Sequence, residues 1–229
     1  MTKRNIFLGL IVTASYIHAM EKQNLSVTFP EEFPKETKTE VARRGLESLL
    51  NDFCKNLKQK QDELKSFNQI INQALAFIQA GANPDLQLAC PSRAGYNAKL
   101  EIPYTESPCL RNTLLILATA YNKLETVKKL LQLGANPNIQ NACGDSALHI
   151  VAKQAANSLG GDGWSANIPD IANLLVSSGA DKSLKNNESK TAYDIIVDVF
   201  PFGGVTHRVP NASFINHMYY SLTTLLQPK

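Results

Sequence analysis

The densest group of residues able to do chemistry in this 229-residue chain is "CGDSALH", residues 143–149. It holds a thiol at Cys143, a carboxylate at Asp145, a hydroxyl at Ser146 and an imidazole at His149, one of four histidines. A Cys–His or Ser–His pair performs acyl transfer when the imidazole takes the nucleophile's proton and a third group orients the ring. The other candidates are thinner. His207 and His217 lie ten residues apart, without the H-E-x-x-H spacing of a zinc-binding helix. "GGDGW", 160–164, lacks the Lys-Ser/Thr of a phosphate-cradling loop. Cys54, Cys90, Cys109 and Cys143 make no C-x-x-C pair and no zinc spacing with histidine. Carboxylates are scattered, and nothing in the sequence locates two of them across a cleft. Whether His149 is a base therefore depends on the element that carries it.

The surrounding elements repeat. "AFIQAGANPDLQ" at 76–87 returns as "KLLQLGANPNIQ" at 129–140 and as "NLLVSSGADKSLK" at 173–185. Each is an amphipathic helix end followed by Gly81, Gly134 or Gly179, where glycine enters the left-handed conformation of a helix C-cap at little cost. Eight residues separate Asn138 from Ser146, and eight separate Ser183 from Thr191. Thr113, Ser146 and Thr191 each open a short apolar run and are placed to cap its first turn. One unit thus reads as a turn, a first helix, a second helix and a Gly-Ala ending.

These units resemble ankyrin repeats, a family with a period of about 33 residues and a T-P-L-H-x-A signature. "SALHIVA", 146–152, matches at Ser146, Leu148 and His149, with Ala147 in place of proline. "TLLILAT" keeps Thr113, Leu115 and Ala118, and "TAYDIIV" keeps Thr191. The resemblance implies an all-α solenoid of stacked helical pairs with β-turn or hairpin loops, helical caps at both ends, and residues 65–199 as the repeats. It also places His149 in a first helix, where the family's histidine ties down the neighbouring turn while Ser146 serves as the helix cap. On that reading no residue is catalytic and none binds a metal or a cofactor.

Two departures stand out. Asp85 and Thr113 are 28 residues apart where the other units show eight, an insertion of 20 at about 88–110. Ser146 and Gly179 are 33 apart where Thr113 and Gly134 are 21, an insertion of 12 at about 155–169 that contains Trp164. Residues 38–64 carry helical apolar spacing and form an N-terminal cap. After the Pro/Gly-rich start of the 200–229 segment, Phe214, Met218, Leu222 and Leu225 make the stripe of a capping helix, which a solenoid needs to cover its end.

At the N-terminus, Lys3 and Arg4 precede an apolar run, Ile6 to Ile17, and then Ala19. That is the layout of a secretory signal peptide over 1–19, since twelve helical residues span only about 18 Å against about 30 Å of hydrocarbon. An amphipathic first helix is the alternative. Residues 20–37 read as a polar, extended arm. The formal charge of +3 falls to about +1 without Lys3 and Arg4, too little for nucleic acid or an anionic membrane. In an oxidising compartment Cys90 and Cys109 could be bridged across the first insertion; two thiols are the alternative.

The expectation is an exported, secreted or periplasmic, monomeric protein that binds another protein, as a host-directed effector or a periplasmic partner. The family's contact positions map to Ala142, Cys143 and Asp145 in one turn and Asn187, Glu188 and Lys190 in the next. First helices add Ala120 and Tyr121, then Lys153 and Gln154. Aromatic anchors dominate interfaces, which adds Tyr96, Tyr104 and Trp164 from the insertions. The rival readings are an enzyme with its site in the insertions or at His207 and His217, and an adaptor that only self-associates.

Overall fold

The computed structural model describes residues 35–56, 63–87, 111–157, 167–199 and 212–228. Among them are eight helices and no strand: α1 Lys35–Asn56, α2 Glu63–Gln79, α3 Leu114–Ala120, α4 Leu124–Gln132, α5 Ala147–Asn157, α6 Asn167–Ser177, α7 Ala192–Val199 and α8 Ala212–Leu226. α1 packs on α2. Beyond that pair, α3, α5 and α7 lie side by side as one layer, and α4, α6 and α8 form the second. One apolar core runs through both layers, from Ala42 to Leu226. The all-α stack of helical pairs is as the resemblance to ankyrin repeats implies.

The Gly-Ala endings close their helices through the same pair of bonds each time. Ala82, Ala135 and Ala180 donate to the carbonyls of Phe77, Leu130 and Leu175, while Gly81, Gly134 and Gly179 donate to Ile78, Leu131 and Val176. Glycine holds φ at 108°, 88° and 86° in the three places. This satisfies carbonyls that a helix end otherwise leaves without donors. α3 ends the same way without a glycine, with Asn122 at φ 55°.

A ladder of side chains then sets each unit on the next. Asn83, Asn136 and Asp181 stand at equivalent places, and each accepts the backbone N–H two residues on. The Asn136 amide also donates to Asp85 Oδ1 of the unit before it, at 2.8 Å. The Asp181 amide donates to Asn138 Oδ1 at 2.7 Å. The register of the stack therefore survives both insertions. At the first, Gln87 corresponds to Gln140 and Arg111 to Gly144, so in the sequence 88–110 take the place of 141–143. Gln87 Oε1 accepts from Arg111 Nε at 3.1 Å and Nη2 at 2.9 Å, clasping the two feet of the insertion. At the second, α5 continues to Asn157 and α6 begins at Asn167, so both helices reach into the range 155–169. At the front, α1 begins at Lys35, inside the stretch read as an arm.

Arg111, Gly144 and Ser189 occupy one equivalent place, two residues before each helix cap, and all three have positive φ, 57°, 74° and 62°. Gly144 is also crowded: a Cβ there would lie 2.7 Å from the Asn187 backbone nitrogen. Gly144→Ala is expected to cost about 1–3 kcal/mol from the strained dihedral and the contact together, read as a lower urea midpoint.

At the two ends, Ala42, Leu46 and Leu50 of α1 and Tyr219, Leu222 and Leu226 of α8 are buried in the core. Lys182 Nζ donates to the Leu225 carbonyl at 3.1 Å, fastening α8 to the last turn.

Candidate interaction surface

His149 is 1 % exposed. Its Nδ1 accepts the Ser146 backbone N–H at 3.2 Å and lies 2.8 Å from Ser146 Oγ. Because a backbone amide can only donate, Nδ1 carries no proton and the ring proton sits on Nε2, which donates to the Lys190 carbonyl at 3.1 Å. Burial pushes the imidazole below its ordinary pKa, against the opposing pull of the Lys190 carbonyl and the Asp145 carboxylate. The ring is filled on both nitrogens and shut from solvent. It holds the turn before α7.

The same place in the other units shows what that ring replaces. Thr113 Oγ1 accepts the Ile116 N–H at 3.3 Å. Thr191 and Asp194 form a reciprocal box: the Thr191 N–H and hydroxyl both donate to Asp194 Oδ2 at 2.8 Å, and the Asp194 N–H donates back to Thr191 Oγ1. His149 is to Ser146 what Asp194 is to Thr191. The Thr191 bonds hold the Asp194 carboxyl below the usual carboxylate range.

Two residues expected at the contact surface belong instead to the internal wiring. Asp145 is 2 % exposed; its Oδ2 takes Lys153 Nζ at 2.7 Å and its Oδ1 takes Asn186 Nδ2 at 3.1 Å. Gln154 is 4 % exposed and donates to the Ala120 carbonyl at 2.7 Å. Their polarity suggests solvent, but here buried hydrogen bonds between neighbouring units absorb it. Lys153 is three-quarters buried along with Asp145. The sequence reading also passes over three asparagines. Asn141 and Asn186, both buried, each accept two backbone N–H groups of their own turn, and Asn141 Nδ2 donates to Asn112 Oδ1 of the previous unit at 3.0 Å. Their signal is the shared offset, five residues before Ser146 and Thr191.

What remains outward is the row of turn tips. Ala142, Asn187 and Glu188 are exposed, and Lys190 is half-buried. The tips are stitched together, with the Asn187 N–H donating to the Cys143 carbonyl at 3.0 Å and Asn187 Nδ2 to the Ala142 carbonyl at 2.9 Å. Lys190 Nζ lies 3.0 Å from Asp198 and 3.8 Å from Glu188, and the Asp198 contact raises its pKa. Tyr121 is half-buried against the core and Ala120 is buried. Trp164, Tyr96, Tyr104, Cys90, Cys109 and His207 lie outside the described residues; His217 is exposed on α8. Among the described residues, no three His, Cys, Asp or Glu side chains group to hold a metal, and no helix is long and apolar enough to cross a membrane.

Residues 114–158 match the family described as Ankyrin repeats (many copies). Similar solved structures include the ankyrin repeat domain of Bcl-3, 22% identical, covering 70% of this chain and 67% of that one at a TM-score of 0.39. EF0377, an ankyrin repeat protein, is 20% identical, with 82% of this chain and 98% of that one covered at a TM-score of 0.40. No curated protein matches the chain. The repeat match over 114–158 spans α3, α4 and α5.

Proposed function

Because residues 114–158 match ankyrin repeats, which generally bind other proteins, we propose that this chain is an exported, non-enzymatic binding protein that occupies a partner's surface through its turn tips. The observation that supports the reading is the division of labour around the turns. Groups that could do chemistry, His149 and Asp145, are buried and bonded to protein partners, while Ala142, Asn187 and Glu188 are presented on a braced, stitched row. A rigid row loses little entropy on binding, which favours affinity. The partner is a protein, met as a host target or in a periplasm, and export rests on the N-terminal segment at 1–19.

Two measurements test this. The intact mass of the protein from its native compartment is expected to lack about the first 19 residues; a full-length mass overturns export. The mature chain is then immobilised and its captured protein titrated against the double variant Ala142→Arg/Glu188→Arg. The variant is expected to weaken binding about tenfold or more, some 1.4 kcal/mol, with its circular dichroism unchanged. Undiminished binding removes the tips from the interface.

A further inference from the structure

The front helical pair is joined to the stack differently from the way the later units are joined to one another. Down the stack, α3 lies along α5 and α5 along α7, while α4 lies along α6 and α6 along α8. Among the described residues no comparable approach joins α1 to α3 or α2 to α4; α1 and α2 pack chiefly on each other. We propose that α1, α2 and the turn that follows them form one body that lifts off while the stack stays folded, with Gln87 as its latch.

Inside the pair the fit is close. Gly45 gives α1 a notch for Phe77 of α2: a Cβ on Gly45 would lie 2.6 Å from Phe77 Cζ. Glycine weakens a helix interior, and the ring seated on it offsets that cost. Thr39 Oγ1 would lie 3.1 Å from a Cβ on Gly81, so α1 also rests on the turn that closes α2. Leu46 and Leu50 of α1 and Ile71 and Ala74 of α2 are buried.

Across the joint, the bonds to the stack gather at one edge. Asp85 Oδ1 accepts the Asn136 amide at 2.8 Å, and Gln87 Nε2 donates to the Gln140 carbonyl at 2.9 Å. Gln87 Oε1 accepts from Arg111, so one side chain ties the pair both to the next turn and to the approach to α3. The covalent chain adds no short tie. It reaches α3 only after 88–110, whereas α3 and α4 are joined by 121–123 alone. The apolar core is continuous across the joint, so the docked state is the resting one. A unit thinly packed on its neighbour and fastened along one edge opens before the rest. Lifting bares the end of the core, which a solenoid must otherwise keep capped. The device governs access to that end, and it stands whether or not the tips bind a partner.

The test is amide exchange on the full chain across rising urea. The Leu46 and Leu50 amides of α1 and the Ile71 and Leu75 amides of α2 are expected to converge on one opening. That opening should be at least about tenfold more populated than the one exposing Val151 of α5 and Leu175 of α6, with a smaller urea dependence. Ile171→Val, inside the stack, is expected to lower protection at Val151 and Leu175 about three- to tenfold and to leave α1 and α2 unchanged. Gln87→Ala removes the latch and is expected to lower protection in α1 and α2 about tenfold. Four results would each overturn the proposal: one opening shared by all four helices, separate openings for α1 and α2, equal losses in pair and stack from Ile171→Val, or α1 and α2 untouched by Gln87→Ala. Should the Gln87 variant not fold, the urea series on the unaltered chain and on Ile171→Val decides it.

Discussion

Leu148→Ala is expected to lower the unfolding free energy by about 3 kcal/mol, within the 2–5 kcal/mol of buried leucine truncations. Leu148 is among the largest fully buried side chains and sits in α5, the middle helix of the layer formed by α3, α5 and α7. The cavity opens between three helices held in register by the Asn136–Asp85 and Asp181–Asn138 bonds, so the walls have little room to collapse. A stack is stabilised by contacts between adjacent units, so weakening its centre also weakens the coupling between its halves. Urea unfolding followed by circular dichroism should show an earlier midpoint and a lower m-value. Leu225→Ala, at a half-buried place on the terminal helix, should cost well under half as much. Equal losses at the two places would refute this account of the core.

Asp145→Ala is the second large effect, with an expected loss of about 2–3 kcal/mol. Removing the carboxylate leaves the Asn186 amide donor buried without its acceptor and Lys153 without its counter-charge. The loss stays at the lower end for breaking a buried pair because the Lys153 side chain is 25% exposed and can turn its ammonium to water. Asp145→Asn should recover most of it. The unit before already uses that solution: Asn112 stands at the same place and accepts from Asn141 Nδ2 as Asp145 accepts from Asn186 Nδ2. Urea midpoints in the order native, Asn, Ala would support this; an Asn variant as weak as the Ala variant would show that the ion pair, and not the amide bond, carries the stability.

The helical pairs were legible because their signals are local and redundant. Gly81, Gly134 and Gly179 mark three helix ends by a conformation that few other residues accept, and Thr113, Ser146 and Thr191 mark three beginnings. The unglycined ending at Asn122 and the positive φ of Arg111 and Ser189 were not legible, since asparagine, arginine and serine are common elsewhere. The candidate surface was harder to read for a related reason. Whether a polar side chain faces water depends on the neighbouring unit, dozens of residues away. Asp145 and Gln154 read as outward contacts until Asn186 and the Ala120 carbonyl are brought beside them. His149 escaped this difficulty because the resemblance supplied its neighbour in advance.

The side-chain ladder also has a terminus. Asp85 and Asn138 each hold out an oxygen to the backbone of the unit that follows. At the corresponding place, Ser183 directs its hydroxyl back to Asp181 of its own turn, at 2.6 Å, and α8 lies over the face beyond, fastened by Lys182. Polymer chemists would call this chain termination. Each rung templates its successor until one residue reacts, so to speak, with itself. A solenoid is a self-similar surface, and an uncapped one invites another molecule to continue the lattice. Here the Asn-to-Ser change at a single rung turns the side chain back on its own turn, and α8 takes over the face that the next rung would have templated.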